Sequence, residues 1–412
     1  MRRTIPVPFA LLLALAAFPS HPAEPVRIAV ITGLSGINAI YGEGQVNSFR
    51  AAADYVNARN TSGGAPRIEI VPFDDNGATQ DSLLMLRRAI DDGIRYIAST
   101  RSSVVHALSE AIAKHNSREP ERTVLLLNFN ALDPALTESK CRFWHFRFEP
   151  HADTQLAALI HLIAGQPSIH KIYLINQDYA YGQSVAKASR EMLGQKRPDI
   201  QIVGDDLIPL AKVKDFAPYV AKIRASGADT VLTGNWGSDL SLLIKASKES
   251  GLHAAYYTVL GAGFGTASAL GTAGTDRVKA VYSWHINAAD SAWTQTLQQY
   301  QAKYKTNADL AYLPAFRSVE MLSTAIGKAE STDPLRVAHA LEGLHIIGPT
   351  GDAWIRPEDH QLIGALHVIA FAKVGEPGVK YDIEGSGYAW RTEAVVEAKD
   401  NIPPLRCTME RP

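Results

Sequence analysis

The 412-residue sequence has few cysteines, almost no net charge and no hydrophobic run long enough to span a bilayer. Its formal net charge is −1, so a nucleic-acid partner, which usually requires a basic surplus, is not expected. Charged residues make up 20% and hydrophobic residues 46% of the chain, which is typical of a globular protein and not of a disordered one. The length allows two domains of ordinary size.

Motifs for catalysis and for cofactors are also missing. The sequence contains no P-loop, no HExxH and no GxSxG pattern. The stretch GAGFGT, residues 261–266, resembles a dinucleotide loop, but Thr266 stands where the third glycine belongs. The histidines are scattered without a metal-binding spacing. We therefore expect no cofactor, no metal and no catalytic residue. The alternative of a secreted α/β enzyme would require a nucleophile, a base and an acid that meet in a cleft.

The N-terminus, MRRTIPVPFALLLALAAFPSHPA, predicts a secretory signal peptide. Two arginines precede an apolar run over residues 9–18, which is too short to cross a bilayer. We expect cleavage after Ala23. Cleavage after Ser20 and retention of the segment as an anchor are the alternatives.

Export permits disulfide formation, and the sequence has only Cys141 and Cys407 to form one. Their single pairing would close a loop of more than 250 residues. We expect a disulfide, with two buried free thiols as the alternative.

Strand-like and helix-like runs alternate along the chain. VRIAVIT, residues 26–32, is a buried strand run, and apolar residues at helical spacing follow it. This order predicts an α/β fold with parallel sheets and helices on both faces. Interruptions at 146–153, 279–287 and 345–352 predict two lobes between which the chain crosses three times. The predicted ranges are 1–23 for the signal peptide, 24–148 plus 280–347 for the N-terminal lobe, 149–279 plus 348–395 for the C-terminal lobe and 396–412 for a tail.

Strand-to-helix turns are the places where open parallel sheets bind ligands. In the turn TRSSVV, residues 100–105, Ser102 and Ser103 combine hydroxyl groups with the unpaired N–H groups of a helix start. That combination suits a carboxylate or a phosphate. The alternative is that both serines only cap the helix.

Other turns carry aromatic residues or offer backbone groups. Tyr41 follows the first strand, while Tyr181 and Trp236 lie on turns of the second lobe. Aromatic rings on loops are typical of ligand pockets, although they also pack over loops. The stretch NFNALDPALT, residues 128–137, would present the backbone of Asn130 to Leu132 at the same sheet edge.

These segments resemble the periplasmic leucine/isoleucine/valine-binding protein family, the solute receptors of ABC uptake systems. The resemblance lies in VITGLSGINAIYGEG, VPFDDNGATQ, NALDPALT before FRFEP, DYAYGQS and IIGPTGD, in this order along the chain. It implies the type I periplasmic binding protein fold, with two Rossmann-like lobes joined by three crossovers. It also implies a monomer in the periplasm, an amino acid or a carboxylic acid or amide as ligand, and an inner-membrane permease as partner. A sensor subunit with the same fold is the alternative.

The resemblance also implies site residues. Ser103, next to Ser102, matches the hydroxyl that holds the ligand carboxylate. Backbone contacts and ring contacts to the ligand are implied for Asn130, Ala131, Leu132, Tyr41, Tyr181 and Trp236.

One departure from the family concerns the ligand's ammonium group. Amino-acid-binding members have an acidic residue on the turn that here reads VLGAGFGT, and the aligned position is Ala262, or Gly261 if the gap shifts by one. Neither residue neutralises a cation, and a buried unpaired charge is costly. Either another acid such as Asp239 takes this role, or the ligand has no ammonium group.

Overall fold

The computed structural model describes residues 24–36, 39–59, 66–263, 265–288, 291–305, 313–348 and 351–412. The predicted signal peptide lies outside these described residues. Within them, no helix combines the length and the hydropathy that a membrane span requires.

The first lobe is built on a five-stranded parallel sheet. Its strands are β1 (Val26–Thr32), β2 (Ile68–Asp74), β3 (Tyr96–Ser99), β4 (Leu125–Asn128) and β5 (His145–Arg147). They lie in the order β2-β1-β3-β4-β5. Alternate residues of β1 belong to different apolar clusters. Ile28 and Val30 pack in one cluster, and Ala29 and Ile31 pack in another on the opposite face. Both faces of the sheet are therefore covered, which explains the continuous apolar run of this strand.

Helices cover this sheet on both sides. They are α1 (Ala39–Arg59), α2 (Thr79–Asp91) and α3 (Ser102–Arg118), and later in the chain α9 (Ser291–Tyr304), α10 (Leu313–Ala329) and α11 (Pro334–Leu341). Val46, Phe49, Ala53 and Val56, which follow helical spacing in the sequence, are all buried on α1. Helix α1 packs against α10, so segments far apart in the chain share one core.

The second lobe is built on a seven-stranded sheet. Its strands are β6 (Lys171–Gln177), β7 (Gln201–Ile208), β8 (Thr230–Thr233), β9 (Ala255–Thr258), β10 (Val278–Tyr282), β14 (Leu366–Lys373) and β15 (Tyr388–Val396). Its helices are α4 (Ala152–Ala164), α5 (Ala180–Lys196), α6 (Ala217–Ser226), α7 (Gly237–Glu249) and α8 (Thr266–Leu270). The order is β15-β14-β10-β9-β8-β6-β7. Strands β10, β9, β8, β6 and β7 are parallel to one another, and β14 is antiparallel to both of its neighbours, β10 and β15.

The chain passes between the lobes three times, as the sequence predicts. It leaves the first sheet after β5 and returns to helices of the first lobe after β10. The third passage contains a small antiparallel sheet of β11 (His345–Gly348), β12 (Gly351–Ile355) and β13 (Leu362–Gly364), after which β14 joins the second sheet. The two-lobe α/β fold is confirmed, and the residue ranges given above for the lobes stay a prediction.

Buried polar groups connect the three crossovers. Glu149, on the first crossover, accepts hydrogen bonds from the Ser283 hydroxyl on the second and, through its carbonyl, from the Gln361 side chain on the third. Arg317 lies 3.5 Å from the Glu149 carboxylate. All four residues are buried, and burial raises the pKa of Glu149 to about 7.

The C-terminal tail returns from β15 to the first lobe. Cys407 forms the predicted disulfide with Cys141, with Cα atoms 5.8 Å apart, so the free-thiol alternative is wrong. Arg406 lies 3.6 Å from the Glu138 carboxylate, and Arg411 pairs with Glu342. The tail is therefore attached to the first lobe at several points.

Candidate functional site

A cavity of about 80 Å³ lies between the two lobes, at the carboxyl ends of their strands. On the first-lobe side its lining contains Thr32, Gly33, Tyr41, Gly42, Gln45, Thr100, Arg101, Ser102, Asn130 and Leu132. On the second-lobe side it contains Tyr179, Tyr181, Trp236, Gly237, Leu260, Gly263 and Tyr282. Of the predicted ligand-binding residues, the structure thus brings Tyr41, Ser102, Asn130, Leu132, Tyr181 and Trp236 together.

The serine turn presents one hydroxyl to this cavity. Ser102 is the first residue of α3; it is buried and lines the cavity, while Ser103 is exposed and does not line it. The Ser102 hydroxyl accepts a hydrogen bond from the Asp133 N–H at 3.2 Å, which leaves its own proton available to an acceptor. A hydroxyl at the positive end of a 17-residue helix is suited to a carboxylate. The assignment of the ligand carboxylate to Ser103 stays a prediction.

Arg101 is the one charged side chain in the lining that the described residues form. Its backbone has a φ of +62°, a conformation that non-glycine residues seldom adopt, and it directly precedes α3. Its guanidinium donates to Asp75 Oδ2 at 2.8 Å and to the Gly77 carbonyl. Because Asp75 is fully buried, this ion pair fixes the position of the arginine and places an opposite charge beside it.

The turn after β4 is held by the side chain of Asn128, the last residue of that strand. Asn128 accepts from the Ala131 N–H at 2.7 Å and donates to the Ala131 carbonyl at 3.0 Å. Both backbone polar groups of Ala131 are thus engaged, and Ala131 is buried outside the cavity lining. Asn130 and Leu132, on either side of it, line the cavity. The ligand contact of Ala131 stays a prediction.

Aromatic rings close the cavity from both lobes. Tyr41 meets Trp236 edge to face, with ring centroids 5.9 Å apart, and Trp236 Nε1 donates to the Tyr179 hydroxyl at 2.9 Å. Tyr181 is 1% exposed, and its hydroxyl has no hydrogen-bond partner among the described residues. Burial, and to a lesser degree the carboxylates of Glu384 and Asp239, raise the pKa of Tyr41 to about 12, so its phenol is neutral.

Among the described residues, no carboxylate lines the cavity. The turn after β9 contributes Leu260 and Gly263, while Ala262 is buried beside them and is not part of the lining. Gly261 is confined as well, because a Cβ there would lie 2.3 Å from the Thr258 Cγ2 atom. Asp239, the other acid considered above, lines a neighbouring cavity instead.

The comparisons with known proteins agree with this architecture. Residues 25–376 match the family model described as periplasmic binding protein. The chain belongs to the periplasmic binding protein family.

Individual relatives support the same assignment. The chain is 30% identical to the Leu/Ile/Val-binding protein homolog 4 of Brucella melitensis, over 97% of this chain and 96% of the relative. It superposes with a TM-score of 0.83 and 28% identity on the leucine-, isoleucine-, valine-, threonine- and alanine-binding protein of Brucella ovis in its closed conformation, over 95% of this chain and 100% of that one.

A more distant neighbour shares the fold alone. It is an ABC-transporter solute-binding protein of Rhodopseudomonas palustris BisB5 in complex with 3,4-dihydroxybenzoic acid, with a TM-score of 0.77 and 16% identity over 91% of this chain and 98% of that one. Together the comparisons confirm the predicted family, the type I fold and the function of an ABC-transporter substrate-binding protein. The family is periplasmic, and its members bind small molecules.

Some lining residues were missed by the sequence reasoning. Thr32 ends β1 and Thr100 follows β3, so the rule that ligands bind at strand ends would have found both. Gln45 gave no sequence signal, because it comes from the second turn of α1 and reaches the cavity through a 2.6 Å hydrogen bond with Thr32. Tyr179 was passed over in favour of Tyr181, two residues later.

Proposed function

We propose that this periplasmic binding protein captures a small carboxylate that has no α-ammonium group and delivers it to an inner-membrane ABC permease. The protein acts in the periplasm as a monomer after removal of its signal peptide. Binding energy drives closure of the lobes, and the closed form is the one that the permease recognises.

The observation that carries this proposal is the charge of the cavity lining. It contains one cation, Arg101, already paired with Asp75, and no carboxylate among the described residues. An α-amino acid would bring an ammonium group into this closed space without a counter-charge, which is costly. An acid without that group, or an amide, avoids the cost.

The remaining lining fits the rest of such a ligand. The Ser102 hydroxyl and the N–H groups at the start of α3 suit the carboxylate. Tyr181, Trp236 and Leu260 suit an apolar body on the opposite side. The name of the Brucella melitensis relative points to branched-chain amino acids, and the Rhodopseudomonas palustris structure shows that a protein of this fold also binds a hydroxylated benzoic acid.

Catalysis is not part of the proposal. His106 lies 2.6 Å from the Asp133 carboxylate, near Ser102, and this trio superficially resembles a hydrolase triad. However, His106 does not line the cavity, and among the described residues no hydrogen bond joins it to the Ser102 hydroxyl. A serine without a base in contact is a poor nucleophile.

Calorimetry on protein that has been unfolded, washed free of bound solute and refolded tests the proposal. The panel contains leucine, its deaminated acid isocaproate, the corresponding amide isocaproamide, and benzoate. We expect acids without the α-amine to bind more tightly than leucine by at least about tenfold, the ratio that corresponds to about 1.4 kcal/mol. Leucine that binds as tightly as isocaproate would overturn the proposal.

Two neighbouring serines supply a matched pair of variants. We expect Ser102→Ala to weaken binding of the preferred acid by about 1–3 kcal/mol, the loss typical of a hydrogen bond to a charged group. Ser103→Ala, one residue away and exposed, is expected to leave the affinity nearly unchanged. The opposite result would assign the carboxylate to Ser103, as the family resemblance implies.

A further inference from the structure

A second cavity, of about 530 Å³, adjoins the first between the lobes. Four residues line both cavities: Tyr41, Arg101, Trp236 and Gly237. The Tyr41–Trp236 ring pair therefore forms part of a shared wall. Ser102 lines only the first cavity, and Asp239 and Gln177 line only the second.

Asp239 and Gln177 each have one buried side-chain oxygen that accepts no hydrogen bond from the described residues. Each residue is 1% exposed. Asp239 Oδ2 accepts from Gln177 Nε2 at 2.7 Å and from the Ala211 N–H at 2.9 Å. The other two oxygens, Asp239 Oδ1 and Gln177 Oε1, have no hydrogen-bond partner among the described residues. A buried acceptor without a partner is costly, so this pair suits a ligand that brings donors.

The charges around the pair favour a cationic donor. Burial raises the pKa of Asp239, although the Gln177 amide and the Ala211 N–H both donate to its Oδ2 atom. Arg101 also lines the cavity, but its guanidinium is engaged by Asp75. Lys212 is exposed and forms no described ion pair with Asp239. The described residues contain no group of three metal-ligating side chains, so an amine suits this position better than a metal ion.

We infer that Asp239 and Gln177 form a second subsite, which takes the ammonium or other N–H donor at the far end of the solute. This inference rests on the proposed function and narrows it: the preferred ligand has its carboxylate and its amine at opposite ends of a short chain. An α-ammonium group is two bonds from the carboxylate carbon, and Ser102 and Asp239 line different cavities, so we do not expect it to contact Asp239 while the carboxylate is at Ser102. We expect an ω-ammonium group on a longer chain to contact Asp239, and the chain length that this requires is what the test measures.

A chain-length series tests the inference on the full-length mature protein. Calorimetry compares β-alanine, γ-aminobutyrate, δ-aminovalerate and ε-aminocaproate with propionate, butyrate, valerate and caproate, each amine against the acid of equal length. We expect the terminal amine to raise affinity at least tenfold at one or more of these lengths. Equal affinities within every pair would overturn the inference.

Variants then locate the amine. Asp239→Asn is expected to abolish the gain from the amine and to leave the affinity for the plain acids within about twofold. Asp206→Asn is the matched control, because Asp206 lies on β7 of the same lobe and lines neither cavity. Its carboxylate accepts hydrogen bonds from the Tyr173 hydroxyl and the Lys222 ammonium group. A gain that persists in Asp239→Asn would overturn the inference, and the wild-type series decides the question even if that variant is unstable.

The outcomes separate this inference from the proposed function. If plain acids bind and the amine adds nothing, the second subsite is wrong and the proposed function stands. If α-amino acids bind best, or if no acid of either kind binds, both are wrong.

Discussion

Gly237 allows the two lobes to touch, and its replacement by alanine is expected to hinder closure. It is the first residue of α7 and has a φ of +61°, in the left-handed region. A Cβ at this position would lie 3.1 Å from the Tyr41 hydroxyl oxygen, which belongs to the opposite lobe. Such a contact is too tight for a carbon and an oxygen without movement of the Tyr41–Trp236 pair.

Two separate costs are expected for Gly237→Ala. The left-handed backbone costs about 1–2 kcal/mol for an alanine, in the open and the closed form alike. The contact with Tyr41 exists only when the lobes are closed, and overpacking of this kind costs about 1–3 kcal/mol. Since the proposed mechanism requires closure, we expect affinity for the solute to fall by about 5- to 160-fold.

Two further variants isolate the contact. Gly251→Ala places an alanine at a φ of +71° with nothing within 4 Å of the added Cβ, so it should lower the melting temperature without lowering affinity. Tyr41→Phe removes the hydroxyl oxygen, and the added Cβ at position 237 then lies 3.6 Å from the ring carbon Cζ, an ordinary contact. The double variant Gly237→Ala, Tyr41→Phe should therefore recover most of the affinity. Calorimetry and thermal unfolding measure both quantities. Equal loss of affinity in Gly237→Ala and Gly251→Ala, or no recovery in the double variant, would refute the reasoning.

Two other predictions concern stability. Replacing Cys141 and Cys407 by serine removes a cross-link between residues 266 apart, so the free energy of unfolding in urea should fall by about 5 kcal/mol in the chain-entropy model; a loss below about 1 kcal/mol would contradict that model. Glu149, whose pKa burial raises to about 7, binds its proton more tightly in the folded than in the unfolded state. Its contribution to the free energy of unfolding is therefore complete below the unfolded pKa of 4.5 and is lost as the pH rises to about 7. In Glu149→Gln this position no longer titrates, so stability should fall less over the same pH range. Buried His151 has a lowered pKa, so its contribution to stability increases as the pH rises, in wild type and in Glu149→Gln alike. The melting temperatures of the two proteins are therefore compared as a difference at each pH. A difference that stays constant from pH 4.5 to 7 would contradict the assignment to Glu149.

Much of the fold could be predicted from the sequence, because it depends on local patterns. Apolar runs set the strands, and helical spacing placed Val46, Phe49, Ala53 and Val56 on the buried face of α1. The alternation of the two kinds of run fixed the parallel sheets, and its interruptions marked the crossovers. The prediction of the disulfide required only the two cysteines and the expected export of the chain.

The candidate site could be predicted from the sequence only in part. The strand-end rule found the turns that carry Ser102, Asn130 and Trp236, since parallel strands bring their carboxyl ends to one edge. It could not tell which serine faces inward, because that depends on the unusual backbone conformation of Arg101 before α3. Nor could it show that Asn128 engages the backbone of Ala131.

The tertiary structure alone decided how the two lobes meet. The sequence predicted ligand-binding turns in each lobe, and it determined that the acidic residue usual in amino-acid-binding members is missing from one of them. Only the structure shows Tyr41 against Trp236 and Gly237, and Asp239 in a different cavity from Ser102. These pairs are separated by more than a hundred residues, and their distances are set by the packing of the lobes around the crossovers, which no local pattern encodes.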